Sequence, residues 1–180
     1  MRHRLDVGAY YKMAEAGIFH PHSVELIDGE IFDMAAIGSP HAAVTNRLVR
    51  SFAGAAAEGR TLVSVQNPLR LDGSSEPQPD LMLLRPRADD YRGCHPSAAD
   101  VLLLVEVSES SLAYDRGTKL ALYARFGVPK VWIIDLQGAA VEVYREPAGD
   151  AYAVKERRTA GSLAPVGVPG VSIDVGALLA

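Results

Sequence analysis

Val101-Leu102-Leu103-Leu104-Val105-Glu106-Val107, a helical pattern from Asp115 to Phe126, and Val131-Trp132-Ile133-Ile134-Asp135-Leu136 together decide the fold. The first and last stretches are nearly continuous apolar runs, as expected of strands covered on both faces. The helix between them offers Leu120, Tyr123 and Ala124 as buried candidates and stops at Gly127, a residue suited to ending a helix. These lengths fit a strand-helix-strand crossover, which is right-handed in nearly every known case. A mixed sheet with helices packed against it follows: an α/β fold.

Upstream, Asp80 to Leu84 reads as a short apolar strand entered through Pro77 and Pro79, after a loop from Asp72 to Pro79. Thr61 to Gln66 and Leu69 to Leu71 read as extended. Ser39-Pro40 opens a helix, with Ser39 as N-cap and Pro40 at the first helical position. Val44, Leu48, Phe52 and Ala55 give that helix one apolar face, and Gly59 closes it. Asp28-Gly29 between two apolar runs signals a two-residue hairpin. A first helix spans Val7 to Ala16 and ends at Gly17. Downstream, Gln137-Gly138 turns the chain into a strand from Ala140 to Arg145. Ala151 to Arg157 adds another, and Gly161 to Gly170 reads as loop. No stretch has the composition of an interdomain linker, so one domain over residues 1–180 is expected.

The 180 residues carry 22 acidic and 18 basic side chains, a formal net charge of −4 and one cysteine. A single cysteine excludes an internal disulfide framework and a cysteine-cluster zinc site. Cys94 is read as a plain loop thiol. No apolar run reaches the ~18 residues of a membrane span. The basic start MRHRLDVGAY is not followed by the apolar core of a signal peptide. A soluble cytoplasmic protein is the expectation. The acidic balance argues against a broadly electrostatic nucleic-acid binder but leaves room for a local basic site. Only Lys12, Lys119, Lys130 and Lys155 are lysines, so a lysine set among carboxylates carries weight.

Acids interrupt the apolar strands. Asp80 starts Asp-Leu-Met-Leu-Leu, Glu106 sits near the end of the run at 101–107, and Glu25 lies between Val24 and Leu26. A charge in a buried strand is costly unless it is paired or binds a cation. Carboxylates on neighbouring strands suit Mg²⁺, which is held by one or two carboxylates with waters and substrate phosphates. The plainer alternative is three solvated strand-end acids. Asp115, Lys119 and Tyr123 recur every four residues and share one helical stripe. That stripe follows the Glu106 strand, so Lys119 can reach the end of that strand. An exposed ion pair is its plainer alternative. His41, at the start of a helix, is a candidate for phosphate contact, against a plain surface role.

The chain resembles the Uma2 (DUF820) family of PD-(D/E)XK endonucleases. The resemblance rests on VELIDGEI (24–31), SPH (39–41), PQPD (77–80), VEVSESS (105–111), YDRGTKLALYARFGV (114–128) and VWIIDL (131–136), in that order. It implies a restriction-endonuclease-like mixed central sheet flanked by helices, with additional antiparallel strands. It implies that Asp80 is the Asp of the PD element and Glu106 the acid of (D/E)XK. The lysine position of that motif is Ser108, and Lys119 on the next helix is the candidate replacement. Glu25 corresponds to an extra acid that some such nucleases carry.

Together these readings give a metal-dependent endonuclease acting on DNA. Asp80, Glu106 and Lys119 are the expected catalytic residues. Asp80, Glu106, Glu25 and the Val107 carbonyl are the expected ligands of Mg²⁺ or Mn²⁺. His41, Asp115 and Tyr123 are expected at the substrate. The alternative is a nuclease-fold module, weak or inactive, that binds nucleic acid or a protein partner. The apolar tail GVSIDVGALLA (170–180) is expected to pack on its own chain or to form a homodimer face.

Overall fold

A computed structural model describes residues 3–20, 23–165 and 167–180. In chain order the elements are α1 (Val7–Glu15), β1 (Val24–Ile27), β2 (Glu30–Asp33), α2 (Ser39–Ala57), β3 (Leu62–Val65), β4 (Leu81–Leu84) and β5 (Val101–Ser108). Helix 112–125 follows in three pieces: α3 (Leu112–Tyr114), a π-helical segment (Asp115–Lys119) and α4 (Leu120–Arg125). Then come β6 (Lys130–Asp135), β7 (Ala140–Ala148), β8 (Ala151–Arg158), β9 (Ser162–Leu163), β10 (Ile173–Asp174) and α5 (Val175–Leu179).

The central sheet has six strands in the order β3-β4-β5-β6-β7-β8. Only β5 and β6 run parallel; the other neighbours are antiparallel. This is the expected mixed α/β architecture, and β1-β2 and β9-β10 supply the additional antiparallel strands. Every residue of β4, β5 and β6 is buried, which explains their predominantly apolar character.

Leu81, Leu83, Leu103, Val105, Trp132, Ile134, Val141 and Val143 face Val44, Leu48 and Phe52 of α2. Met82, Leu84, Leu104, Val131 and Ile133 face Tyr123, Val128 and Leu69. The tail joins the first of these clusters through Leu163, Val168, Ile173, Val175 and Leu178. It therefore packs on its own chain, the first of the two outcomes expected. Val166, within the expected loop, lies outside the described residues, as do Met1 and Arg2.

Several boundaries differ from the sequence reading. Gly38, not Ser39, caps α2, and Pro40 lies within its first turn. Leu69 to Leu71 joins no sheet, because its amides donate to the carbonyls of Pro77 and Ser75 instead. The expected helix from Asp115 starts at Leu112 and contains the π segment. There Leu120 N–H reaches the Asp115 carbonyl, five residues back. Asp115 and Lys119, both on that segment, are buried.

Candidate active site

The strand pairing brings the acids together. Leu81 of β4 pairs with Val105 of β5, which sets Asp80 beside Glu106. The Asp80 amide donates to Glu106 Oε2 at 3.4 Å, and the Val107 amide donates to Asp80 Oδ2 at 2.8 Å. Glu25 arrives from β1, which a single bridge between Leu26 and Glu76 fastens to the segment before β4. There the Gln78 amide donates to Glu25 Oε2 at 2.9 Å.

Lys119 closes the group. Its Nζ lies 2.9 Å from Glu106 Oε1 and 3.3 Å from Glu25 Oε2. The Tyr123 hydroxyl donates to Glu106 Oε1 at 2.5 Å, and the Tyr114 hydroxyl to Glu25 Oε1 at 3.1 Å. His41 Nε2 sits 2.9 Å from Asp80 Oδ1, and its Nδ1 is buried with no partner among the described residues. Asp115 Oδ2 accepts from the hydroxyls of Ser108 at 2.7 Å and Ser111 at 2.6 Å. Glu106 and Glu25, 2% and 3% exposed, are therefore not solvated strand ends, and neither is half-buried Asp80, which bonds His41 and the Val107 amide.

The cluster forms one wall of a cavity of about 770 Å³. Glu25, His41, Asp80, Glu106, Val107, Asp115 and Lys119 all line it. The apolar segment Met34 to Gly38 lines it too, with Asp33 and Glu109. Tyr123 is fully buried and does not belong to the lining residues. Its position suits holding Glu106, not touching a substrate. Asp115 likewise spends its carboxylate on two serines, although it reaches the cavity.

Burial dominates the electrostatics. It pushes the Glu106 carboxyl upward, to about 8, against the pull of Lys119. Burial also opposes the charge on Lys119, but Glu106, Glu25 and Asp115 outweigh it and hold the ammonium above the ordinary lysine value. For Asp80, burial raises the carboxyl, while the His41 hydrogen bond and charge, the Val107 amide and Lys119 bring it below its ordinary range. The Asp80 hydrogen bond in turn raises His41.

Among the described residues, no three histidine, cysteine or carboxylate side chains converge as a ready-made metal cage. The donor chemistry still fits a hard divalent cation. Asp80 and Glu106 lie side by side at the cavity wall, and burial disfavours the Glu106 charge. Carboxylate and carbonyl oxygens are the ligands Mg²⁺ takes.

Sequence reasoning missed Tyr114, Gln78 and a further buried acid, Glu142. Glu142 repeats the signal that exposed Glu106, an acid inside an apolar run (Ala140-Val141-Glu142-Val143-Tyr144). Tyr114 and Gln78 act through contacts that no spacing announces.

The sequence profile of a family described as "Uma2: Putative restriction endonuclease" matches residues 8–176. Among solved structures, the chain is similar to one from Anabaena variabilis described as "a putative nuclease belonging to DUF820". The two are 14% identical, the match covers 97% of each chain, and the TM-score is 0.73. At that identity the likeness is one of fold. No curated protein matches the sequence. Among the described residues, no helix is long and apolar enough to cross a membrane.

Proposed function

The chain belongs to the Uma2 family, and from that premise we propose that it is a metal-dependent endonuclease that hydrolyses phosphodiester bonds in DNA. The observation that carries this reading is Lys119, whose Nζ lies 2.9 Å from Glu106 inside a cavity walled by Asp80 and Glu25. It takes the place of the lysine that the Glu-Val-Ser strand lacks. We read the 180 residues as one such domain, since the tail shares the core of the central sheet.

Asp80 and Glu106, with the Val107 carbonyl and Glu25, would hold Mg²⁺ or Mn²⁺. Such a cation supplies two things, activation of a water nucleophile and charge stabilisation at the phosphate. The remaining work falls to this chain's own groups. Water adds to phosphorus, one P–O ester bond breaks, and the departing oxygen takes up a proton. Lys119 stabilises the negative charge that builds on the phosphoryl oxygens, and it does so from a buried position where such contacts are strongest. His41 orients Asp80 and stands in the first turn of α2, within reach of an entering phosphate. Tyr123 and Asp115 fix the carboxylate and the lysine-bearing segment in place.

The test is cleavage of supercoiled plasmid with Mg²⁺ or Mn²⁺, wild type against Asp80→Ala and Lys119→Ala. Both variants are expected to lose activity by about 10²-fold or more. Full cleavage by either would show the site to be misassigned. A second reading, a binding module without chemistry, draws on one observation: Asp80, Glu106 and Glu25 are already paired inside the chain. It predicts no heat on titration with Mg²⁺, whereas the enzyme reading predicts heat that Glu106→Gln abolishes.

A further inference from the structure

We propose that Arg116 and Glu142 form a clamp that positions Lys119, making Arg116 a positioning residue of the site and not a group that touches substrate. Arg116 meets Glu142 in a two-pronged ion pair, Nε to Oε2 at 3.0 Å and Nη2 to Oε1 at 2.9 Å. The same Nη2 reaches Asp135 Oδ2 at 3.3 Å. Glu142 is 2% exposed and also accepts from the Tyr144 hydroxyl at 2.6 Å. These partners stand on β6, the parallel neighbour of the Glu106 strand, and on β7 beyond it.

The need for a clamp lies in the backbone. Arg116 and Lys119 share the π-helical segment Asp115–Lys119, and a π turn is rare, found mostly as a single-turn bulge inside an α-helix. Side chains at its start anchor this one. Asp115 ties its start to Ser108 and Ser111, and Arg116 ties it to β6 and β7. Lys119 at its end is then delivered to Glu106 and Glu25. The planar fork makes the Arg116 contact directional, which a lysine could not reproduce. A misplacement of ~1 Å at a reacting centre costs on the order of 10²-fold in rate.

The chain has four lysines, so ¹⁵N-lysine labelling separates their ammonium signals. In Arg116→Lys and Glu142→Gln, the Lys119 Nζ signal is expected to shift or broaden. Those of Lys12 and Lys130 are expected to stay in place. Metal-dependent kcat is expected to fall on the order of 10- to 100-fold, with KM within about twofold. A Lys119 signal unmoved in both variants overturns the clamp. So does equal movement at Lys130, which would mean general loosening. The kinetic consequence rests on the hydrolytic reading, but the spectroscopic one does not. A wild type that cleaves nothing while its Lys119 signal still answers to Arg116 and Glu142 sinks the nuclease and leaves the clamp standing.

Discussion

His41 and Asp80 illustrate what a single pair of residues contributes. The Asp80 hydrogen bond raises His41 above its ordinary 6.5. Asp80, burial notwithstanding, is held below 3.8 by His41, the Val107 amide and Lys119. The sign follows for each group. The raised histidine stabilises the fold fully below its ordinary value, and that contribution is lost as pH rises through the raised one. The lowered aspartate contributes above its ordinary value and loses that share as pH falls through the depressed one. The pair is therefore worth most between those two limits. An NMR titration should place the His41 midpoint above 6.5 in the wild type and lower it in Asp80→Asn. A midpoint indifferent to that substitution would mean the pair does not form. The meeting of Asp80 with Glu106 was legible because acids interrupting apolar strands are improbable without a cause, and Lys119 because its helical stripe follows the Glu106 strand. The contacts of His41, Tyr123 and Asp115 were not, because spacing gives a side chain's stripe but not what faces it.

At the level of elements, the hairpin from β1 to β2 was readable from Asp28-Gly29 and the apolar runs on either side of it. Both residues adopt positive φ, 48° and 77°, which suits a turn matched to the strand twist. A Cβ at Gly29 would stand 2.6 Å from Arg4 Cβ and 3.0 Å from the Leu5 carbonyl. Gly29→Ala should cost about 1–3 kcal/mol in urea unfolding, and a change under ~0.5 kcal/mol, the ordinary range for surface substitutions, would argue against this turn. Because β1 carries Glu25, the same change should also disturb the site. Helix 112–125 was legible as a helix, but its π segment was not. The turn's side chains bond to nearby Ser108 and Ser111 and to Glu142 of β7, and no helical period in the sequence marks it.

For the molecule as a whole, β4, β5 and β6 were readable because each is buried on both faces. The tail was harder. β9 and β10 have two residues each, too few to show a period, and their place is set by the sheet they cover. Leu178 of α5 packs in the same cluster as Phe52 and Trp132. Leu178→Ala should therefore cost about 2–5 kcal/mol in chemical denaturation, as a core truncation does. A cost below ~1 kcal/mol would make the tail a surface appendage. The cavity wall carries one more consequence, and it concerns time. Tyr114 bonds Glu25 across 89 positions of the chain, and Lys119 meets the same carboxylate from the same helix. Contacts so distant in sequence form late, after the costly closure of long loops. A chain caught half-folded would hold Glu25 apart from Tyr114 and Lys119, so the cluster would be complete only when the fold is.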